Sequence, residues 1–226
     1  RYKAAEFTYV TDLMVDASAM FIKSGSKYAT IDIIRQTKGL KAGGTSARGF
    51  FATVASVMFD IMGVDGKVIP GYKGPPKLVL ALGQGEVDVI AWQAAASLKK
   101  IKDGSIKPIF VIGDQRFPAL PDVPTFLEAG GRVPDALADA YRLISWSGQA
   151  VMGPPGVPAD KLGFLRDTFK QLGKNPKLQG DIKKAVGYYS PLEPGEKMQA
   201  NIEKIMSSKA LSSQLKGIVD KYTAAR

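Results

Sequence analysis

Strand-like and helix-like stretches alternate from residue 18 to residue 112, and this order constrains the fold more than any other property of the chain. Two parallel strands cannot be joined by a tight turn; they need a crossover, and a helix supplies it. A run of such units predicts a mostly parallel sheet with helices on both faces, whose ligands bind beyond the carboxyl ends of the strands.

The pieces are legible one by one. Residues 7–13 and 19–23 are short aromatic and aliphatic strands. Thr30 precedes Ile31, Ile33 and Ile34 as the N-cap of a short helix that closes near Gly39. The strand 40–42 runs into Gly43-Gly44-Thr45-Ser46-Ala47-Arg48-Gly49. Phe51, Val54, Ala55, Met58, Phe59 and Met62 then repeat at helical period up to Gly63, a C-cap residue. A strand at 67–69 leads to the turn Gly71-Tyr72-Lys73-Gly74, and Pro75 and Pro76 suit the first turn of the next helix. Residues 87–91 form a strand, Ala94, Ala95, Leu98 and Ile101 mark a helix, and 106–112 is a strand that Pro108 assigns to a sheet edge. Beyond a loop-rich stretch come a helix at 135–144, a strand at 149–152 and the turn Pro154-Pro155-Gly156-Val157-Pro158. Leu162, Leu165, Phe169 and Leu172 then form a helical stripe, and the rest is mainly helical.

Composition removes several chemistries. There is no Cys and no His, so thiol nucleophiles, imidazole bases and His-based metal sites are excluded, and neither a metal nor a cofactor is expected. Lys and Arg number 31 against 21 acids, a net charge of +10, which favours anionic partners: nucleic acid, lipid headgroups or small carboxylates. The basic residues form no polybasic block and no basic-aromatic interleaving, so nucleic acid is not expected. No stretch has the length of a membrane span and no signal peptide opens the chain, which reads as a mature protein or a fragment of one.

Four segments carry a family pattern. The first is Gly71-Tyr72-Lys73-Gly74, then a helix, then Gly85-Glu86-Val87-Asp88. The second is Ile101-Lys102-Asp103-Gly104-Ser105-Ile106-Lys107. The third, and most specific, is Ala119-Leu120-Pro121-Asp122-Val123-Pro124-Thr125 followed by Glu128-Ala129-Gly130. The fourth is Pro154-Pro155-Gly156-Val157-Pro158. In this order, across residues 7–206, they resemble the substrate-binding proteins of tripartite tricarboxylate transporters, the Bug receptors, and the loop Gly43-Gly44-Thr45-Ser46 resembles a divergent branch of that family.

The resemblance implies an α/β fold of the type II periplasmic-binding kind: two doubly wound lobes, a hinge of crossing strands and a cleft that closes on ligand, like a Venus flytrap. Residues 18–145 are expected to form the second lobe, essentially complete, and 1–17 with 146–226 the remainder of a first lobe. The family's opening strand, helix and glycine-rich loop precede the point where this sequence starts, so the first lobe is expected to be incomplete. The function implied is a periplasmic, monomeric, non-enzymatic receptor. It would capture a small organic acid, a di- or tricarboxylate or an aromatic acid, and deliver it to the membrane subunits of the transporter. Service to a signalling sensor is the alternative, and an enzyme on the same fold a more distant one, since no paired acidic motif stands in the loops.

By the same resemblance the loop residues Gly43, Gly44, Thr45, Ser46 and Gly49 are the first choice of ligand site, joined by Tyr72, Trp92 and Gln93 and by Arg48, which departs from the family's usual small residue or proline at that point. The glycines allow close backbone approach, and the hydroxyls of Thr45 and Ser46 add donors at a helix N-terminus. A plain strand-to-helix turn with a Thr or Ser cap would look the same. Arg48 is either a carboxylate clamp or a surface charge, and Tyr72 either a ligand donor or a packing residue. Trp92 stands where the common family form has Asp, which turns the expectation toward a ligand with apolar or aromatic surface; plain core is its other reading. Asp16 and Gln149 fall near the expected crossing between lobes.

Overall fold

The computed structural model describes residues 3–14 and 16–224. In chain order its elements are β1 (Thr8–Asp12), β2 (Asp16–Lys23), α1 (Ile31–Gln36), β3 (Leu40–Gly43), α2 (Phe50–Met62), β4 (Gly66–Ile69), α3 (Pro75–Gln84), β5 (Val89–Gln93), α4 (Ala94–Lys102) and β6 (Ile106–Ile112). They continue with α5 (Ala138–Ser145), β7 (Trp146–Ser147), β8 (Ala150–Gly153), α6 (Ala159–Leu172), α7 (Pro176–Val186), β9 (Glu193–Pro194), α8 (Gly195–Ser207) and α9 (Lys209–Thr223). The chain divides into two compact units, a larger one of Ala17–Trp146 with Ser213–Arg226 and a smaller one of Arg1–Asp16 with Ser147–Ser212.

The larger unit is built on a sheet of order β4-β3-β5-β2-β6, with β7 also pairing β2. β3 runs parallel to β4 and to β5. The sheet is more mixed than the alternation predicts, because β2 is antiparallel to both of its neighbours, β5 and β6. Its direction is set by its partners, and no property of residues 16–23 alone encodes it. β6 ends the order, so Pro108 does sit on an edge strand.

Local chemistry explains the helix limits. The Thr30 hydroxyl accepts from the Ile33 N–H at 3.3 Å and opens α1. α2 stops at Gly63, whose left-handed backbone (φ 67°) suits a residue without Cβ. Pro75 and Pro76 take the first turn of α3, where their missing N–H groups cost nothing. β5 extends two residues beyond its expected end, because Trp92 and Gln93 pair with Ala19 and Ser18 of β2. The core lies between this sheet and its helices, with Phe21, Phe59, Phe110, Phe126, Met20, Ile34, Leu78 and Ile90 fully enclosed.

The proline-rich stretch after β6 is pinned by its own polar groups. Arg116 Nε donates to both oxygens of Glu128, at 3.1 and 2.9 Å, and its Nη1 donates to the Pro121 carbonyl. Thr125 and Glu128 exchange bonds reciprocally, N–H to carboxylate at 2.8 Å and N–H to hydroxyl at 3.1 Å. Phe126 is thereby inserted against Phe110 and Tyr141, with ring centroids 5.1 and 6.0 Å away.

The smaller unit holds a three-stranded antiparallel sheet, β8-β1-β9. Arg166 of α6 donates to the Tyr9 carbonyl and pairs with Glu196 at 3.0 Å. Asp12 is fully buried at the end of β1, where one carboxylate oxygen accepts from the Met14 N–H at 3.2 Å and the Gln149 N–H at 2.7 Å.

Candidate functional site

Two strands of the larger unit end in register, Gly43 of β3 aligning with Ile69 of β4, while β5, aligned with Gly43 at Ile90, runs on to Gln93. The turns leaving β3 and β4 therefore start side by side. Gly44 joins them, since its N–H donates to the Ile69 carbonyl at 2.9 Å and its carbonyl accepts from the Tyr72 N–H at 3.2 Å. The two glycines also set the helices. A Cβ on Gly43 would come within 2.7 Å of Leu78 of α3, and one on Gly44 within 3.0 Å of Ala52 of α2. α2 and α3 thus lie on opposite faces of the sheet, with both N-termini at its carboxyl edge.

The N-terminus of α2 lacks a side-chain cap. Its cap residue is Gly49, which has no side chain to offer; the Gly49 N–H donates to the Ser46 carbonyl and its carbonyl accepts from the Thr53 N–H. Thr45 Oγ1 and Ser46 Oγ lie 3.2 and 2.7 Å from the position a Cβ on Gly49 would occupy, so both hydroxyls gather over the cap. Thr45 is half-buried and Ser46 exposed. Phe50 and Phe51, both half-buried, flank the first turn edge to face with centroids 5.7 Å apart.

Electrostatics single out this edge. Neither α2, α3 nor α4 has an acidic residue in its first turn or a capping side chain. α1, which begins elsewhere, has both, Thr30 and Asp32. Three positive dipole ends are left uncompensated where the strands stop, a setting that favours an anion. α3 contributes fewer donors than α2, because prolines occupy its start.

The remaining residues of the expected site fall in different places. Arg48 is exposed and engaged by Asp220 of α9 at 3.0 Å. Tyr72 is half-buried with its hydroxyl donating to Glu86 at 3.2 Å; burial first, then this carboxylate, raises its phenol above the ordinary value. Trp92 and Gln93 are the last residues of β5 and point to opposite faces. Trp92 shares the face of Ile90 and Gly43, under α3, and is only 8% exposed. Gln93 shares the face of α2 and stands directly opposite Ser18. Gly43, Gly44, Thr45, Ser46, Gly49 and Tyr72 are thus brought together, Gln93 ends the adjoining strand on α2's face, Arg48 is held by an ion pair, and Trp92 packs inward.

Ser18 escaped the sequence reading. It is fully buried at the same edge, and its hydroxyl has no partner among the described residues. Tyr141 also escaped it: its hydroxyl accepts from the Gly113 N–H at 2.9 Å and donates to the Gly113 carbonyl at 3.2 Å, fixing the exit of β6. Neither shows a local signal, since both depend on strands or helices distant in sequence. In the smaller unit, Asp16 is buried at the start of β2 and Gln149 is exposed just before β8. Among the described residues no cluster of three acidic, His or Cys side chains could hold a metal, and no helix is long and apolar enough to cross a membrane.

Comparison with known proteins gives a consistent picture. The model of the tripartite tricarboxylate transporter family receptor matches residues 4–206. No curated protein matches the chain. Among solved structures, a TctC solute-binding protein from Polaromonas superposes with a TM-score of 0.70 at 19% identity, covering 96% of this chain and 70% of its own. A Rhodopseudomonas palustris protein solved with adipate gives 0.72 at 21% identity, covering 94% and 68%. MatC of Rhodopseudomonas palustris, solved with bound malate, gives 0.68 at 16% identity, covering 94% and 69%. The fold is that of periplasmic binding proteins.

Proposed function

The chain belongs to the tripartite tricarboxylate transporter receptor family, and from that premise we propose that it is a periplasmic receptor that binds a small organic acid anion and passes it to the membrane subunits of such a transporter. The observation that carries this reading is the uncapped, acid-free N-terminus of α2, over which Thr45 and Ser46 gather their hydroxyls. A carboxylate needs several hydrogen-bond donors at once, and first-turn amides with two hydroxyls supply them without a formal charge.

Relatives of the same fold were solved with adipate and with malate, which supports a carboxylate as the ligand class. In the larger unit Gly43, Gly44 and Gly49 bring backbone close to the ligand, Thr45 and Ser46 donate to it, and Gln93 offers an amide on α2's face. Arg48 acts at most indirectly, because Asp220 already neutralises it.

A melting assay over malate, adipate, a tricarboxylate and an aromatic acid tests the proposal. A ligand that binds only the native state stabilises it by about 2.7 kcal/mol at 100 times its Kd. At least one acid of the panel is expected to raise the melting temperature in a concentration-dependent way. No shift with any of them at millimolar concentration would remove the carboxylate receptor reading.

A further inference from the structure

At the end of the larger sheet opposite to Thr45 and Ser46, β2 finishes where β6 begins: Lys23 pairs with Ile106 and Ile22 with Lys107. The last turn of α3 lies beside this corner, because Lys23 Nζ donates to the Gly83 carbonyl at 2.8 Å. A surface cavity of about 370 Å³ opens there, with Lys23 and Ser24, Val79, Leu80 and Gln84 of α3, and Ser105 of the turn before β6 in its wall. α3 turns Leu78, Ala81 and Leu82 inward, which leaves Leu80 outward and 49% exposed.

Positive charge collects around this cavity. Lys99, Lys100 and Lys102 end α4, and Lys107 stands on β6. The neighbouring acids are already engaged, Asp103 by Lys100 at 2.7 Å and by Ser105, and Glu86 by the Tyr72 hydroxyl. Cations in the last turn of a helix offset its dipole, which accounts for part of the α4 cluster. It does not account for Lys107 on its strand. Lys99, Lys102 and Lys107 are all exposed, and none has an ion-pair partner among the described residues.

We infer that this corner is a membrane-docking site, where the headgroup of an anionic phospholipid enters the cavity against Lys23 and Ser24, Lys102 and Lys107 flank it, and Leu80 reaches the acyl boundary. The residue types select this occupant. Protein interfaces are enriched in aromatic residues, Met and Arg and depleted in Lys, whereas every cation at this corner is a lysine. A free phosphate gains nothing from an exposed leucine, while a bilayer offers charge and apolar surface together. Lysine stems suit that boundary, since they lie along apolar surface and keep the ammonium among the headgroups. Each basic residue held near an anionic bilayer strengthens binding about fivefold. The contact leaves the carboxyl edge of the sheet free, so it stands apart from the carboxylate reading.

Co-sedimentation of the protein with vesicles at physiological salt tests this, using phosphatidylglycerol mixed into phosphatidylcholine against phosphatidylcholine alone. Binding is expected to the mixed vesicles only, and to fall as salt is added. Lys23→Gln, Lys102→Gln and Lys107→Gln together are expected to weaken it by about tenfold or more. Lys177→Gln, Lys183→Gln and Lys184→Gln remove the same charge from exposed positions on α7 and should weaken it no more than about twofold. Leu80→Ser should weaken binding and leave its salt dependence unchanged. All these variants are expected to melt like the parent, because each position is exposed. The inference is overturned if mixed vesicles bind no better than neutral ones, or if the two triple variants lose affinity equally, which would leave only net charge. It is equally overturned if Leu80→Ser binds like the parent and soluble glycerol phosphate displaces the protein, the behaviour of a free-anion site. Binding that requires transporter subunits in the vesicles would make the partner a protein and overturn it too.

Discussion

The backbone N–H of Tyr72 donates to the carbonyl of Gly44 over 3.2 Å, so the turn after β4 is tied to the turn after β3 by a main-chain bond. The side chains of neither residue make that link. Its partner Gly44 is also the point where α2 presses on the loop, because any Cβ there would meet Ala52 at 3.0 Å. Gly44→Ala is therefore expected to push the first turn of α2 away from the hydroxyls of Thr45 and Ser46. Overpacking of this kind costs about 1–3 kcal/mol. Thermal melting should show a loss in that range, and the ligand-induced shift should fall more than the stability does. A variant that melts lower but binds unchanged would place the ligand elsewhere.

Thr45→Ala with Ser46→Ala removes two donors from the α2 cap and leaves its amides in place. Hydrogen bonds to a charged group contribute about 1.5–3 kcal/mol each. Calorimetric titration with the best acid of the panel should show affinity weakened by at least tenfold, with thermal stability of the free protein nearly unchanged because Ser46 is exposed. Arg48→Ala is the control. It breaks an exposed pair with Asp220, worth about 0–1 kcal/mol, and should leave affinity within a factor of two or three.

Tyr141→Phe keeps the ring beside Phe126 and deletes the hydroxyl that serves both polar groups of Gly113. An unsatisfied buried amide costs about 1–3 kcal/mol. Chemical denaturation should show a loss of that size. No loss would mean that water replaces the hydroxyl and that the exit of β6 is solvated.

Asp12 gives the smaller unit a pH dependence. Burial, with the nearby charge of Glu193 adding to it, holds its carboxyl above the ordinary value of 3.8, although the Gln149 and Met14 amides pull the other way. A carboxyl raised in the folded state favours folding when protonated. Its contribution is complete below pH 3.8 and is lost as pH rises through the raised value. Asp12→Asn keeps an acceptor for both amides and has no charge to bury. Relative to the unsubstituted protein it should gain stability on going from pH 3 to pH 7, and equal stability at both ends would contradict the burial of this charge. Asp12→Ala orphans both amides and should be destabilising at either pH.

How much of this was legible in the sequence depended on whether the determinant was local. The loop from Gly43 to Gly49 and the helix after it were readable, because glycine spacing and helical period act within a dozen residues. So were the Thr30 cap, the Gly63 stop and the edge position of Pro108. The direction of β2 and the true end of β5 were not, since both follow from pairing between Ser18 and Gln93 and between Ala19 and Trp92. The same holds for the charge that occupies Arg48, which lies 172 residues away. The inward packing of Trp92 follows from which face α3 covers, a fact that its own neighbours in sequence do not carry.

The chain passes between its two units at three points, after Asp16, after Trp146 and after Ser212. The bond from Asp12 to Gln149 joins residues 137 apart, and almost everything between them belongs to the larger unit. Closing such a long loop from an unstructured chain is entropically costly and slow. Once the larger unit has folded, most of the intervening chain is no longer free. The smaller sheet therefore has to wait: its strands can meet cheaply only after the inserted unit has formed, which makes assembly sequential and leaves β1 to pair after strands that follow it in the chain.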